Sequence, residues 1–220
     1  MSNYVIKYGR GDGVKYISHL DFVRMFHRTV RRADLQFMFS QGFNPHPIMT
    51  VAVPLSVGVT ADSEYMKVGF NTALSENELM ETLNDALPDG FFVDAVKKVE
   101  GKELDFNLIE RAEYIIDAEC ENPDALDIAA LMGTQELCVM KKSKSGERET
   151  NIRPLVYEVE KIAPVSGNLG LRMVLAAGNN ATLKPETLID AVNKYQPEVK
   201  IGFFGSHRKA LLTAKGTPLL

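Results

Sequence analysis

Residues 75–100, SENELMETLNDALPDGFFVDAVKKVE, predict a capped helix that runs directly into a strand. Ser75 and Glu78 have the spacing of a capping box, in which the two side chains satisfy backbone N–H groups at the start of a helix. Leucines then recur every fourth residue on one face, and the Pro-Asp-Gly sequence at 88–90 ends the helix. The remaining segment, 91–100, is predicted to return as a strand.

The residues before this helix predict the other elements of the first half of the chain. Residues 3–10 alternate between two faces as a half-buried strand does. Ser18 is a plausible N-cap for a long helix, with Asp21 at the third helical position. Further strand segments are predicted at 35–40, 48–55 and 63–70. The first half of the chain therefore has the order β-α-β-β-α-β.

The second half repeats this order, with a helix opened by Pro123, a hairpin that turns at 144–147, and a helix opened by Pro185. Two split β-α-β units in succession predict an α+β fold of two tandem ferredoxin-like domains with antiparallel sheets. We expect the first domain at residues 1–100 and the second at 109–220, with the linker between them. This prediction rests on the order of elements and not on a repeat of individual residues.

Charge is divided unevenly along the chain. Residues 1–61 have a net charge of +4 (seven basic and three acidic side chains), residues 62–140 have −14 (five and nineteen), and residues 141–220 have +6 (thirteen and seven). Clustered charge of one sign bears on binding partners rather than on fold. A basic amino-terminal segment suits a partner that carries phosphate, whereas the acidic middle would repel one.

Several classes of protein and site find no support in the sequence. No run of about 18 apolar residues predicts a membrane span, and no basic-then-apolar start predicts secretion, so we expect a cytoplasmic protein without a membrane partner. Two isolated cysteines, Cys120 and Cys138, make neither a disulfide framework nor a zinc site. With four scattered histidines and no phosphate-loop or dinucleotide motif, we expect no metal and no cofactor.

The first helix carries a row of basic side chains. At 100° per residue, Arg24, Arg28 and Arg31 fall within about 60° of one another, with Arg32 on the flank and the phenylalanines opposite. One interpretation is a solvated helix face, on which an Asp21–Arg24 ion pair contributes a small stabilisation. The other is a site for phosphate or carboxylate, because like charges at helical spacing repel and are easier to understand with an anionic partner.

The histidines also have competing interpretations. His19 lies in the first helical turn toward the phenylalanine face, where a partly buried structural role competes with a role as general acid or base. His27 flanks the arginines and would join the row only at low pH. His207 lies in the last strand beside two basic residues, which favours a surface position.

The stretch SQGFNPHPIMTVAVPLSVGV, residues 40–59, places His46 between two prolines. Each proline fixes its own φ and extends the residue before it, so Asn44 and His46 are both predicted to be held extended. Gly42 allows the turn from strand to loop. Such a loop presents polar groups with little entropy left to lose, which suits binding or catalysis. A stiff connection between two strands is the alternative.

The motifs of this region resemble those of the bacterial radical SAM-linked protein family, a domain of unknown function. The matching elements are Ser18-His19-Leu20-Asp21, Arg31-Arg32, Ser40 with Gly42-Phe43-Asn44-Pro45-His46-Pro47, Pro54-Leu55 with Gly58, and NIRPLV at 151–156. Tyr16 stands where the family has Phe. Members occur free-standing or fused to the carboxyl end of radical SAM proteins, and are often encoded near ribonuclease G and ribosomal proteins. This chain lacks the CxxxCxxC motif that holds an iron–sulfur cluster, so it cannot perform radical chemistry itself.

With the basic row, the resemblance implies an RNA-binding accessory in tRNA or rRNA modification or processing, partnered by a radical SAM enzyme or ribonuclease G. The residues expected to contact phosphate, sugar or base are Arg24, Arg28, Arg31, Arg32, Asn44 and His46. A second hypothesis is a metal-independent RNA endonuclease or transferase, with His19 or His46 as general acid or base. A third is an adaptor that binds another protein through its acidic surface.

Overall fold

The computed structural model describes residues 2–100, 104–143 and 146–220. This part of the chain forms two compact units: the first extends to Leu108 and includes Pro218–Leu220, and the second is Ile109–Thr217. The units contain both helices and antiparallel strands, so the protein belongs to the α+β class. The expected linker at 100–108 lies partly outside the described residues, and the expected domain limits stay a prediction.

The first unit is built from four strands and two helices. In chain order these are β1 (Ser2–Arg10), α1 (His19–Arg32), β2 (Met49–Val51), β3 (Val59–Phe70), α2 (Glu76–Ala86) and β4 (Phe91–Val99). The strands pair antiparallel in the spatial order β4-β1-β3-β2. Tyr4 of β1 lies opposite Val68 of β3 and Lys98 of β4, and this register sets which side chains share a face of the sheet.

One face of this sheet forms an aromatic core with the helices. The ring centroids of Tyr8 and Phe22 are 4.9 Å apart in a stacked arrangement, and those of Phe22 and Phe91 are 5.6 Å apart. Phe26 is fully buried, with its ring 6.5 Å from that of Phe37. Phenylalanines at helical spacing thus hold α1 against the sheet, and the opposite side of the helix, with the arginines, remains in solvent.

The predicted caps of both helices are confirmed. Ser18 Oγ accepts a hydrogen bond from the backbone N–H of Asp21 at the start of α1. In α2, Ser75 Oγ accepts from the Glu78 backbone N–H, and the Glu78 carboxylate accepts from the Ser75 backbone and hydroxyl. These bonds to Ser75 lower the pKa of Glu78. The sequence alone therefore located the beginnings of both helices.

The segment between α1 and β3 differs from its prediction. Residues 35–40 make only isolated bridges, at Phe37 and Phe39, and within residues 48–55 only β2 is a strand. Pro47 and Pro54 flank β2, and proline limits a strand because it lacks the N–H group that a ladder needs and restricts the residue before it. Residues 35–40 contain no proline, and their two bridges pair Phe37 with Phe70 of β3 and Phe39 with Pro47. Of the two predicted strands, one is therefore reduced to isolated bridges and the other to the three residues of β2.

The second unit contains the remaining six strands and two helices of the described residues. They are β5 (Ile109–Cys120), α3 (Ile128–Gly133), β6 (Cys138–Ser143), β7 (Gly146–Asn151), β8 (Val156–Ile162), β9 (Leu169–Ala176), α4 (Pro185–Tyr195) and β10 (Ile201–Thr213). Four strands pair antiparallel in the order β10-β5-β9-β8, and β6 and β7 form a separate hairpin. The turn of this hairpin, predicted at 144–147, includes residues outside the described part.

The helix predicted from Pro123 is shorter than expected. Pro123–Ala125 form a single 3-10 turn, and α3 begins only after Asp127, whose carboxylate accepts a hydrogen bond from the N–H of Ala130. Asp127 is a strong N-cap, and this cap rather than the proline sets the start of the helix. The helix predicted to open at Pro185 does begin there.

Candidate functional site

The exposed side of α1 carries the four predicted arginines, which differ in what they contact. Arg24 donates a hydrogen bond of 3.2 Å to the Asp21 carboxylate, and both side chains are exposed. The Ser18 hydroxyl lowers the pKa of Asp21, and Arg24 and Arg28 add to this effect. Arg24 therefore already has a partner, as the solvated-face interpretation expects, and an exposed pair of this kind is weak.

Arg32 stabilises the fold. Its Nε and Nη2 atoms donate to the carbonyl oxygen of Ala86 at 3.0 and 2.6 Å, and Nη2 also donates to Thr29 at 3.1 Å. Ala86 is the last residue of α2, so the guanidinium group satisfies a carbonyl that the helix itself leaves free. This arginine thus connects the ends of the two helices.

Arg28 and Arg31 are exposed, and the side chain of neither forms a hydrogen bond or an ion pair with the residues that the structure describes. They lie three positions apart on α1, so their Cα atoms are separated by about 60° around the helix. Two cations at this spacing repel each other, and at Arg28 the Coulombic attraction of Asp21, which is paired with Arg24, offsets this only in part. They are the part of the row that remains open to an anion.

His27 connects the basic row to the segment that follows α1. Its half-buried ring meets the edge of the Phe37 ring, with centroids 5.1 Å apart. Burial, and to a lesser degree Arg31, lowers the pKa of His27 below its usual value. At neutral pH the ring is therefore uncharged and acts in packing, and it holds the start of the next segment beside the arginines.

That segment leads into the proline loop, residues 40–47, which is closed at its base by two residues. Ser40 N–H donates to the His46 carbonyl at 2.9 Å, and His46 N–H donates to Ser40 Oγ at 3.1 Å. Ser40 Oγ also lies 2.9 Å from His46 Nδ1. Just before the loop, Met38 N–H donates to the Gly69 carbonyl at 2.8 Å, which ties the base to β3.

The tip of the proline loop is exposed to solvent. Gly42 has φ 127°, a backbone conformation that side-chain-bearing residues rarely adopt. Phe43 is fully exposed, at 107 % of its reference area, and Asn44 is exposed with no hydrogen bond to another described residue. The loop therefore exposes an aromatic ring and an amide at consecutive positions.

His19 occupies a different place. Its side chain is exposed at the start of α1, so the partly buried position expected for a structural histidine is not found. It lies at a cavity of about 10 Å³, which has room for one water molecule. The other residues around this cavity are Tyr8, Arg10, Phe22, Val51, Leu55 and Glu64.

The structure brings only some of the predicted residues together. Ser40 and His46 are in contact, and so are Asp21 and Arg24. Among the described residues, no hydrogen bond or ion pair joins the proline loop to Arg28 or Arg31, and none of the α1 arginines lines the cavity at His19. The candidate site is therefore Arg28 and Arg31 together with the proline loop, connected through the His27–Phe37 contact.

Sequence reasoning missed Phe43, which it treated only as part of a motif. A signal was present, since a phenylalanine between Gly42 and Asn44 in a proline-braced loop has no neighbours with which to form a core. It also missed Arg10 and Glu64, which are charged yet 4 % and 0 % exposed. Their burial follows from tertiary packing, and nothing in the local sequence indicates it.

The second-half motif at 151–156 has a structural role. Arg153 donates to the Met132 carbonyl through Nε at 3.1 Å and Nη2 at 2.7 Å, and to the Val156 carbonyl through Nη1 at 2.9 Å. Met132 lies in the last turn of α3, so Arg153 binds a helix end as Arg32 does in the first unit. Asn151 Oδ1 accepts from the Leu137 and Arg153 N–H groups and fixes the turn.

Other kinds of site are not formed by the described residues. No three His, Cys, Asp or Glu side chains in this part of the chain gather as metal ligands would. None of its helices has the length and apolarity to cross a bilayer. Cys120 is buried, its Sγ donates to the Val199 carbonyl at 2.8 Å, and burial raises its pKa, so it behaves as a packing residue.

These features define an α+β protein with antiparallel strands, an exposed basic helix face and a proline loop that is closed by hydrogen bonds. Residues 3–185 match the family described as uncharacterized protein conserved in bacteria (DUF2344), and the chain belongs to this family. Among solved structures it is similar to the crystal structure of an unknown protein from Galdieria sulphuraria, at 15% identity over 93% of this chain and 98% of that one. The TM-score is 0.28, too low to support a conclusion on the fold. No curated protein matches the chain.

Proposed function

We propose that this protein is an RNA-binding accessory in tRNA or rRNA modification or processing, which acts in the cytoplasm with a radical SAM enzyme or ribonuclease G. The observation that carries the proposal is the pair Arg28 and Arg31, whose side chains are exposed on α1 and form no ion pair with the described residues. Guanidinium groups form bidentate, charge-assisted hydrogen bonds with phosphate, and phosphate contacts supply most non-specific RNA affinity.

The wider charge distribution supports the same partner. Both arginines belong to the segment 1–61, which carries a net charge of +4 in a chain whose total is −4. An unevenly charged protein attracts a polyanion to its basic part and repels it elsewhere, which orients the encounter. The acidic middle of the chain would then remain free for a protein partner, as the adaptor hypothesis requires.

We also propose that both units are ferredoxin-like domains. The supporting observation is their spatial strand order, β4-β1-β3-β2 in the first and β10-β5-β9-β8 in the second, with a helix after the first strand and before the last. This is the arrangement of a split β-α-β unit. Four-stranded sheets backed by helices carry RNA-binding sites in other proteins, which is an analogy at the level of fold.

The test is the salt dependence of RNA binding by the full chain. We expect affinity for total tRNA to fall roughly tenfold between about 50 and 200 mM salt, and the double variant Arg28→Glu/Arg31→Glu to lose binding. The matched control is Lys184→Glu/Lys215→Glu, which makes the same change in charge at two exposed lysines of the second unit. Binding that ignores both salt and the arginine substitutions would reject the proposal.

His46 supports the second candidate function, a metal-independent RNA endonuclease or transferase. Its Nδ1 is held by Ser40, which leaves Nε2 of an exposed imidazole without a partner in the described part of the chain. A ring fixed in this way can exchange a proton at a substrate oxygen. In this case His46→Ala abolishes cleavage or transfer in EDTA while RNA affinity stays nearly unchanged, and His19→Ala is the parallel test for the other histidine. Absence of turnover with total cellular RNA would exclude it.

A further inference from the structure

The tip of the proline loop combines exposure with rigidity. Phe43 is fully exposed, and Phe39 and Ile48, which flank the proline loop, are 52 % and 36 % exposed. The loop is closed by the backbone and side-chain bonds between Ser40 and His46. An aromatic ring held on a stiff loop loses little conformational entropy when it binds something.

We propose that this tip takes up one unpaired nucleobase of a single-stranded RNA segment: the Phe43 ring stacks on the base and the Asn44 amide bonds to its edge. The inference rests on the proposed function, since it names the class of RNA that Arg28 and Arg31 would hold. An asparagine side chain offers a donor and an acceptor, which every base edge can use. Unpaired bases are commonly recognised by such stacking and edge contacts.

Position and charge favour RNA as the occupant. The ring of Phe37 contacts His27 on the flank of the basic row, and Phe43 lies six positions after Phe37. An extended chain of this length spans at most about 20 Å. An RNA strand of the size that small domains bind, about 4–16 nucleotides, can therefore contact the loop tip and the arginines together.

The proposed stacking predicts that the protein binds single-stranded RNA more tightly than duplex RNA. The arginines alone would bind the phosphates of either, whereas Phe43 can stack only on a base that has left its helix. A partner protein is the other possible occupant of an exposed aromatic ring, and it would need the apolar surface of Phe43 rather than the π-face. Replacement by leucine distinguishes these two, because leucine keeps the apolar contact and removes stacking.

The experiment measures binding of the full chain to an RNA of about 12 nucleotides, single-stranded or annealed to its complement, by fluorescence anisotropy at low salt. We expect tighter binding to the single strand, a loss of about tenfold for Phe43→Ala and Phe43→Leu, and near-normal binding for Phe43→Tyr. Asn44→Ala should show a smaller loss on the single strand only. Duplex affinity should change less than about twofold in all four variants, because only phosphate contacts remain there.

Each outcome has a distinct meaning. If Arg28→Glu/Arg31→Glu removes binding but Phe43→Ala and Phe43→Leu bind single strands as the wild type does, the inference is overturned and the proposed function stands. Equal affinity for single strand and duplex overturns it as well. If the wild type binds neither RNA, both fail. A cellular defect in Phe43→Ala that Phe43→Leu restores, without any change in RNA binding, assigns the tip to a protein partner and also overturns the inference. The Phe43 and Asn44 variants lie at an exposed loop tip and the arginine variant on the exposed side of α1, so unchanged thermal unfolding is the check on folding for each of them.

Discussion

The Nδ1 atom of His46 lies 2.9 Å from the hydroxyl oxygen of Ser40, and this contact closes the neck of the proline loop. The same hydroxyl oxygen accepts the backbone N–H of His46 at 3.1 Å. One serine therefore fixes both the main chain and the side chain of the histidine. The loop owes its shape to this pair as well as to its prolines.

Replacement of Ser40 by alanine tests this role. We expect the amide hydrogen of His46 to exchange about five to ten times faster, because a hydrogen bond of this kind contributes about 1 kcal/mol to local stability. The global free energy of unfolding should change little, since the loop is exposed. The control is Ser56→Ala, at a serine without a side-chain hydrogen bond among the described residues. Unchanged exchange at His46 would contradict the proposed closure.

Arg32 and Arg28 should differ in their effect on stability. Arg32→Ala leaves the Ala86 carbonyl without its donor, so we expect the free energy of unfolding to fall by about 1–2 kcal/mol. Arg28→Ala removes an exposed side chain that forms no hydrogen bond or ion pair in the described part of the chain. This variant should change the free energy of unfolding by less than about 0.5 kcal/mol. Urea unfolding of both variants checks this, and an equal effect of the two would refute the assignment of roles.

The number of free arginines sets an expected salt slope. If Arg28 and Arg31 alone contact phosphates, the plot of log affinity against log salt should have a slope of about −1.4 for single strands. If Arg24 and Arg32 also contribute, the slope should approach about −2.8. We expect the shallower value, because Arg24 is paired with Asp21 and Arg32 with the Ala86 carbonyl. A slope near the steeper value would show that these pairs open on binding.

Asp117 in the second unit predicts a pH effect on stability. Its carboxylate accepts the Ser166 hydroxyl and the backbone N–H groups of Val165, Ser166 and Gly167, and these bonds lower its pKa to about 2. As the pH falls, the Asp117 carboxylate is protonated in the unfolded chain before it is protonated in the folded protein. The ionised carboxylate therefore stabilises the fold fully above about pH 4, and this stabilisation is lost toward pH 2.

The variant Asp117→Asn should therefore be less stable than the wild type by about 1–3 kcal/mol at pH 7, and the difference should shrink as the pH falls below 4. Thermal unfolding at a series of pH values measures it. Asp124→Asn, at an exposed aspartate with no partner among the described residues, serves as the control. A difference that stays constant with pH would show that the carboxylate charge is not involved.

The sequence predicted those features that depend on local chemistry. The capping box of Ser75 and Glu78, the cap at Ser18 and the start of α4 at Pro185 are all found, because each depends on residues within one helical turn. The strand predicted at 35–40 forms only two isolated bridges, and the strand predicted at 48–55 is shortened to β2, because Pro54 lacks the N–H group that would extend the ladder.

The site was less predictable than the fold. A helical wheel placed four arginines on one side of α1, but it could not show that Arg32 reaches Ala86, a residue 54 positions away. It could likewise not show that His19 would be exposed, since burial depends on what packs against the first turn. Contacts between residues distant in sequence separate the structural arginines from the free ones.

Arg32 and Arg153 bind the carbonyl groups at two helix ends, and this has a consequence for genetics. Loss-of-function alleles at either position should reduce the amount of folded protein in the cell, because unfolded chains are degraded. Alleles at Arg28 and Arg31 should leave the amount of folded protein unchanged and still impair its function in the cell. A comparison of protein level with phenotype across such alleles would thus distinguish architectural from ligand-contacting residues before any ligand is known.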